Sequence, residues 1–235
     1  VDAKAVYDSA WQHPGIAFAA ALVFAFALAR KVGGHHGLAI LLAAEIAADA
    51  FFTGTFSPTA PTALGTPVAI AFVILGDLRF FLLVELAARA SRPPSFEGLG
   101  PPRAWGMATA WAFAIPVLSA IPQRLFPSAF TQLNAVFLVY EAMFVVLALA
   151  LRFVVLPRRF AGASEPVRRW VFGLALFEIV QYALWSTADV VILAGVEAGY
   201  WLRIVPNALY YAAFVPFAWH GAVALDEATT TTKLD

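Results

Sequence analysis

Residues 71–90 read AFVILGDLRFFLLVELAARA, an oily run interrupted by Asp77, Arg79 and Glu85. The run is long enough to cross a bilayer, which takes about 20 mainly apolar residues. A charge near the midplane costs roughly 2.5–3.5 kcal/mol on insertion scales. Something elsewhere in the chain must therefore offset Asp77 and Arg79. Two residues apart, they point about 200° away from each other around a helix, so each needs a partner on a different neighbour. The third span is thereby predicted to be central. Glu45, Glu141 and Glu178 are candidate partners for Arg79, and Asp77 faces the opposite side. Glu85 and Arg89, four apart, are expected to pair at the inner end of the span.

The rest of the chain has the same character. Of 235 residues, 62% are hydrophobic and only 13% charged, with mean hydropathy +0.79. Soluble domains sit near 45–50% apolar, so the composition predicts an all-α integral membrane protein. Lys+Arg and Asp+Glu balance at 15 each, leaving no basic footprint for nucleic acid. With no cysteine, disulfides, thiolate nucleophiles and Cys-ligated metals are excluded. A plasma or inner membrane is the expected location, the lipid bilayer the expected partner, and no protein partner is indicated.

Proline, glycine and charge clusters divide residues 1–235 into one domain of seven apolar runs, near 14–30, 36–56, 66–88, 104–122, 129–153, 167–194 and 200–224. Arg30 and Lys31 follow the first run rather than precede it, so it reads as a retained helix and not a signal peptide. Arg89, Arg92 and Arg103, then Arg152, Arg158, Arg159, Arg168 and Arg169, cluster with them at alternate ends, whereas the opposite loops between spans hold Arg124 alone. Basic loops mark the cytoplasmic side, which predicts a seven-helix bundle with its N-terminus outside and its C-terminus cytoplasmic.

At 1.5 Å per residue, Glu45, Asp77, Arg79, Glu141 and Glu178 fall near one midplane level, with Asp49, Asn134, Gln181 and Asn207 in the outer half and Asp189 and Arg203 higher still. Helical spacing aligns them into polar and aromatic stripes: Glu45, Asp49, Phe52, Thr53 and Phe56; Asn134, Phe137, Leu138 and Glu141; Glu178, Gln181, Tyr182, Trp185 and Asp189; Arg203, Asn207, Tyr210, Tyr211 and Phe214. Four stripes can enclose an outward-facing pocket for a small molecule. Five acids (Glu45, Asp49, Asp77, Glu141, Glu178) face two bases (Arg79, Arg203), so protons or a cation must balance the surplus. Asn134, Gln181 or Tyr182 taken singly suit interhelical packing better than ligand contact. Pro206 frees a carbonyl beside Asn207, a further candidate contact.

Other features are weaker. His35, His36 and His220 share the inner end, where solvation at the interface explains them better than a metal does. Trp11, Trp105, Trp170 and Trp201 lie near span ends and read as interface anchors, while Trp111 and Trp185 are deeper and could line a cavity. The gross layout matches rhodopsin-type proteins, but a retinal Schiff base needs a lysine in the seventh span. The lysines are Lys4, Lys31 and Lys233, so no covalent retinal is expected and no other cofactor is indicated. Three functions fit the pocket: a proton- or cation-coupled small-molecule transporter, an intramembrane enzyme acting on a lipid or isoprenoid through a carboxylate acid or base, and a sensor that binds a ligand or chromophore.

Overall fold

The computed structural model describes residues 2–9, 15, 19–22, 36–54, 57–59, 61–90 and 102–220, with side chains omitted at 36–38 and 89–90. Most of the first expected span, together with His35 and the side chain of His36, lies outside these residues. The described chain is helical, without strands. A short α1 (Ala3–Tyr7) precedes α2 (His36–Thr53), α3 (Gly65–Ala90), α4 (Pro102–Leu125), α5 (Leu133–Arg159), α6 (Glu165–Leu193) and α7 (198–220). Helices α2–α7 overlap the second to seventh expected spans. Among the described residues α3, α4, α5 and α6 are long and apolar enough to cross a membrane.

The surface is inverted relative to a soluble protein. Phe113, Val117, Val146, Phe153, Leu176 and Val190 are exposed, whereas Asp77, Arg79, Glu141, Glu178 and Asp189 are buried. Charged residues are almost never fully buried in water-soluble folds unless paired, and an apolar exterior with a polar interior suits a lipid bilayer.

Consecutive helices from α2 to α7 pack on one another, α7 closes back on α2, and α3 crosses the interior to reach α6. On α4 the buried positions are Ala104, Ala108, Ala112, Ile115 and Ser119, a run of small residues that lets its backbone approach its neighbours closely. The α6–α7 connection is tight because Gly195 adopts φ +79°, with Val196 N–H bonded to the Val191 carbonyl and Gly195 N–H to that of Ile192. This is a Schellman stop, which favours glycine at the left-handed position.

Two helices contain a widened π turn. In α5 it covers Leu151–Val155, with Leu156 N–H reaching the Leu151 carbonyl; in α7 it covers Leu209–Ala213, with Phe214 N–H reaching that of Leu209. Pro157 and Pro216 follow shortly after. A proline lacks the N–H for the carbonyl four residues back and crowds it, and a five-residue turn just upstream relieves the conflict. As a result α5 runs on to Arg159 instead of stopping near 153. At its other end the chain from Pro127 to Phe130 forms a separate 3₁₀ turn, so α5 begins at Leu133 rather than 129.

The extension of α5 changes the inner pairing. Both oxygens of Glu85 accept from Arg159, each at 2.6 Å; the side chain of Arg89, its expected partner, lies outside the described residues. Trp170 is likewise buried instead of anchoring at an interface, its indole N–H donating to the Ala218 carbonyl. Removing one partner of a buried pair costs about 3–5 kcal/mol. Because Arg159 is 34% exposed, the lower end of that range applies to Arg159→Ala. Thermal unfolding in detergent should show a larger loss for Arg159→Ala than for Arg89→Ala, which leaves the Glu85–Arg159 fork intact.

Candidate functional site

Helix α3 sends its two opposed charges in opposite directions. Asp77, 1% exposed, accepts from Tyr182 of α6 at 2.6 Å and from Tyr140 of α5. Hydrogen bonds to a charged group are worth about 1.5–3 kcal/mol each, so two are enough to offset the burial cost of one carboxylate. Arg79 turns toward α2 and α7. Its Nε lies 3.0 Å from Glu45 Oε2, and its guanidinium sits 4.1 Å above the Tyr210 ring and 5.3 Å from Phe214. The Arg79–Glu45 approach is close but not aligned as a hydrogen bond, so Coulomb attraction and the aromatic faces hold the cation. Of the three expected partners for Arg79, Glu45 is the ion-pair partner. Glu178, also buried, interacts electrostatically with both Asp77 and Arg79, whereas Glu141 belongs to Arg203.

Higher in the bundle Arg203 is encircled. It pairs with Asp189, lies 3.7 Å from Glu141 Oε1 through Nη2, and donates from Nε to Tyr7 Oη at 3.0 Å. Asp189 also accepts from Asn134 Nδ2 at 2.8 Å. Tyr7 comes from α1, ahead of any expected span, and carried no sequence signal.

Between these clusters lies a cavity of about 310 Å³. Ten residues of the expected stripes line it: Asp49, Thr53, Phe137, Glu141, Tyr182, Trp185, Arg203, Asn207, Tyr210 and Tyr211. Glu45, Asp77, Arg79, Glu178 and Gln181 do not line it. Tyr140 and Tyr7 also contribute to the wall. The π turn of α7 explains how the adjacent Tyr210 and Tyr211 both become buried, since a widened turn shifts the phase of successive side chains. Tyr210 Oη donates to Asp49 Oδ2 at 2.8 Å, and Thr53 donates to Asp49 Oδ1 at 2.9 Å. Asn207, just after Pro206, serves through its side-chain oxygen, which accepts from Trp185 Nε1 at 2.7 Å. Trp111 does not reach the cavity and stacks on Phe81 instead. No described cluster of His, Cys, Asp and Glu could hold a metal ion, and His220 is exposed.

The described residues form an all-helical fold with four helices long and apolar enough to span a membrane and a polar, aromatic cavity in the interior. No protein-family model matches the chain, and no curated protein or solved structure shows significant similarity to it.

Gly76 of α3 gives this site its tightest fit. A Cβ there would lie 2.5 Å from Tyr210 Oη and 3.0 Å from its ring, and that hydroxyl is held by Asp49. Gly76→Ala is expected to lower stability in detergent by about 1–3 kcal/mol, the usual cost of overpacking. In a Tyr210→Ser background, where the ring is gone, the same substitution should cost much less.

Proposed function

We propose that the chain is a seven-helix integral membrane protein, N-terminus outside and C-terminus cytoplasmic, that carries a small molecule through the interior cavity in exchange with or alongside protons. The observation that supports this reading most is the arrangement of acids beside the cavity wall. Glu45, Asp49 and Glu178 act on the single guanidinium of Arg79, and a fourth acid, Asp77, is buried on the other side of α3 with tyrosines as its partners. Charges out of water require compensation, so protons or cations make up the surplus. Wall tyrosines contact two of the acids directly, Tyr210 bonding Asp49 and Tyr140 and Tyr182 bonding Asp77. A ligand that moves these rings changes the hydrogen bonding of the acids, and with it their hold on protons. Such coupling is what a proton-driven carrier requires, and intramembrane carboxylate chains commonly serve as proton relays.

The test is proton movement in proteoliposomes carrying a trapped pH dye. Added substrate-like solutes are expected to drive proton flux with the native chain, while Asp77→Asn and Glu178→Gln reduce it to the protein-free level yet still exchange bound solute, because an amide keeps the shape but cannot release the proton. Undiminished flux in both variants would contradict the proposal. Loss of lipid turnover in detergent, without a gradient, would favour an intramembrane enzyme instead.

A further inference from the structure

We propose that the cavity takes a small organic cation, specifically a protonated amine bearing an apolar or aromatic group; this rests on reading the cavity as the small-molecule site. The wall supplies both halves of such a ligand's recognition. Tyr140, Tyr182, Trp185, Tyr210 and Phe137 present aromatic surface around the space, and aromatic faces attract cations most strongly where water is excluded. Among the aromatic residues stand two carboxylates, Asp49 and Glu141.

Glu141 points to the ligand's charge. It is 3% exposed and lines the cavity, yet its Oε2 has no hydrogen-bond partner. Its Oε1 faces Arg203 at 3.7 Å, so one oxygen is turned to the base and the other is free. A buried carboxylate oxygen left unpaired is costly, and an ammonium in the cavity would satisfy it by drawing the Glu141 side chain toward the space it lines. Asp49, tied to Tyr210 and Thr53, adds negative potential without needing to move.

The cavity's base does not offer an anion the same welcome. Arg203 is already engaged by Asp189, Glu141 and Tyr7, so a ligand carboxylate or phosphate would have to displace an internal acid and leave it unpaired. The acids around Arg203 alone outnumber it two to one. At about 310 Å³ the cavity lies at the small end of ligand pockets, which suits a molecule the size of an arylalkylamine. The proposal also ties charge to transport: an ammonium arriving beside Glu141 and Asp49 supplies positive charge that a proton otherwise provides, so its entry favours proton release, one cation for one proton.

The experiment is calorimetric titration of the full chain in detergent with benzylammonium, benzyl alcohol and benzoate, which share a ring and differ in charge. Benzylammonium is expected to bind about 10-fold or more tightly than either of the others, equivalent to about 1.4 kcal/mol. Glu141→Gln should remove most of that preference while leaving the weak alcohol binding unchanged. Benzoate or the alcohol binding as tightly as benzylammonium, or benzylammonium failing to bind at about 10 mM, would overturn the assignment. If Glu141→Gln does not fold, the native ligand series still decides. Because no gradient is involved, amine binding without proton flux counts against coupling alone, whereas proton flux without amine preference counts against the ligand class alone.

Discussion

An ionised side chain inside an apolar bundle must find its compensation within the bundle, and α3 carries two such groups of opposite sign two residues apart. Their divergence makes α3 the strut of the structure. Asp77 draws Tyr140 and Tyr182 in from α5 and α6, while Arg79 draws Glu45 from α2 and the faces of Tyr210 and Phe214 from α7. Four helices thus converge on one turn of α3. The absence of a Cβ at Gly76, one residue before Asp77, allows the Tyr210 ring to lie against the α3 backbone.

The cavity follows from this convergence. Tyrosines that compensate Asp77 and Asp49 also form the wall, so the groups that make buried charge tolerable are the ones a ligand would touch. Arg203 has a parallel role above them, gathering Asp189, Glu141 and Tyr7. The two basic centres differ in saturation. Arg203 has three protein partners at hand, whereas Arg79 depends on a close but unaligned carboxylate and two aromatic faces. The interior therefore holds more acids than bases beside the cavity, and both the proton coupling and the amine preference proposed above depend on that excess.

Much of this was legible in the sequence because membrane burial makes charge placement informative. The opposed directions of Asp77 and Arg79 follow from helical geometry, and of the stripe from Glu178 to Asp189, Tyr182 and Trp185 line the cavity whereas Glu178 and Gln181 do not. Other features depend on facts that spacing does not encode. The contact of Glu85 with Arg159 was not foreseen because Pro157 suggested a stop, while a π turn instead carried α5 on to Arg159. Tyr140 was missed although it lies three residues after Phe137 and next to Glu141 on the same stripe. Tyr7 offered no signal, since it comes from a five-residue helix ahead of any apolar run. Trp170 looked like an interface residue by its position near a span end, but its N–H is used inside the bundle.

The central claim is that α3 connects two separate clusters through Asp77 and Arg79, and double-mutant cycles on thermal stability in detergent test it most directly. Coupling of about 1 kcal/mol or more is expected between Asp77→Asn and Tyr182→Phe, and between Arg79→Met and Glu45→Gln, since contacting residues couple by roughly 0.5–3 kcal/mol. The crossed pair, Arg79→Met with Tyr182→Phe, should couple more weakly than either. Coupling in the crossed pair as strong as in the direct pairs would contradict the account, because it would mean that the two charges of α3 share one cluster rather than holding two apart.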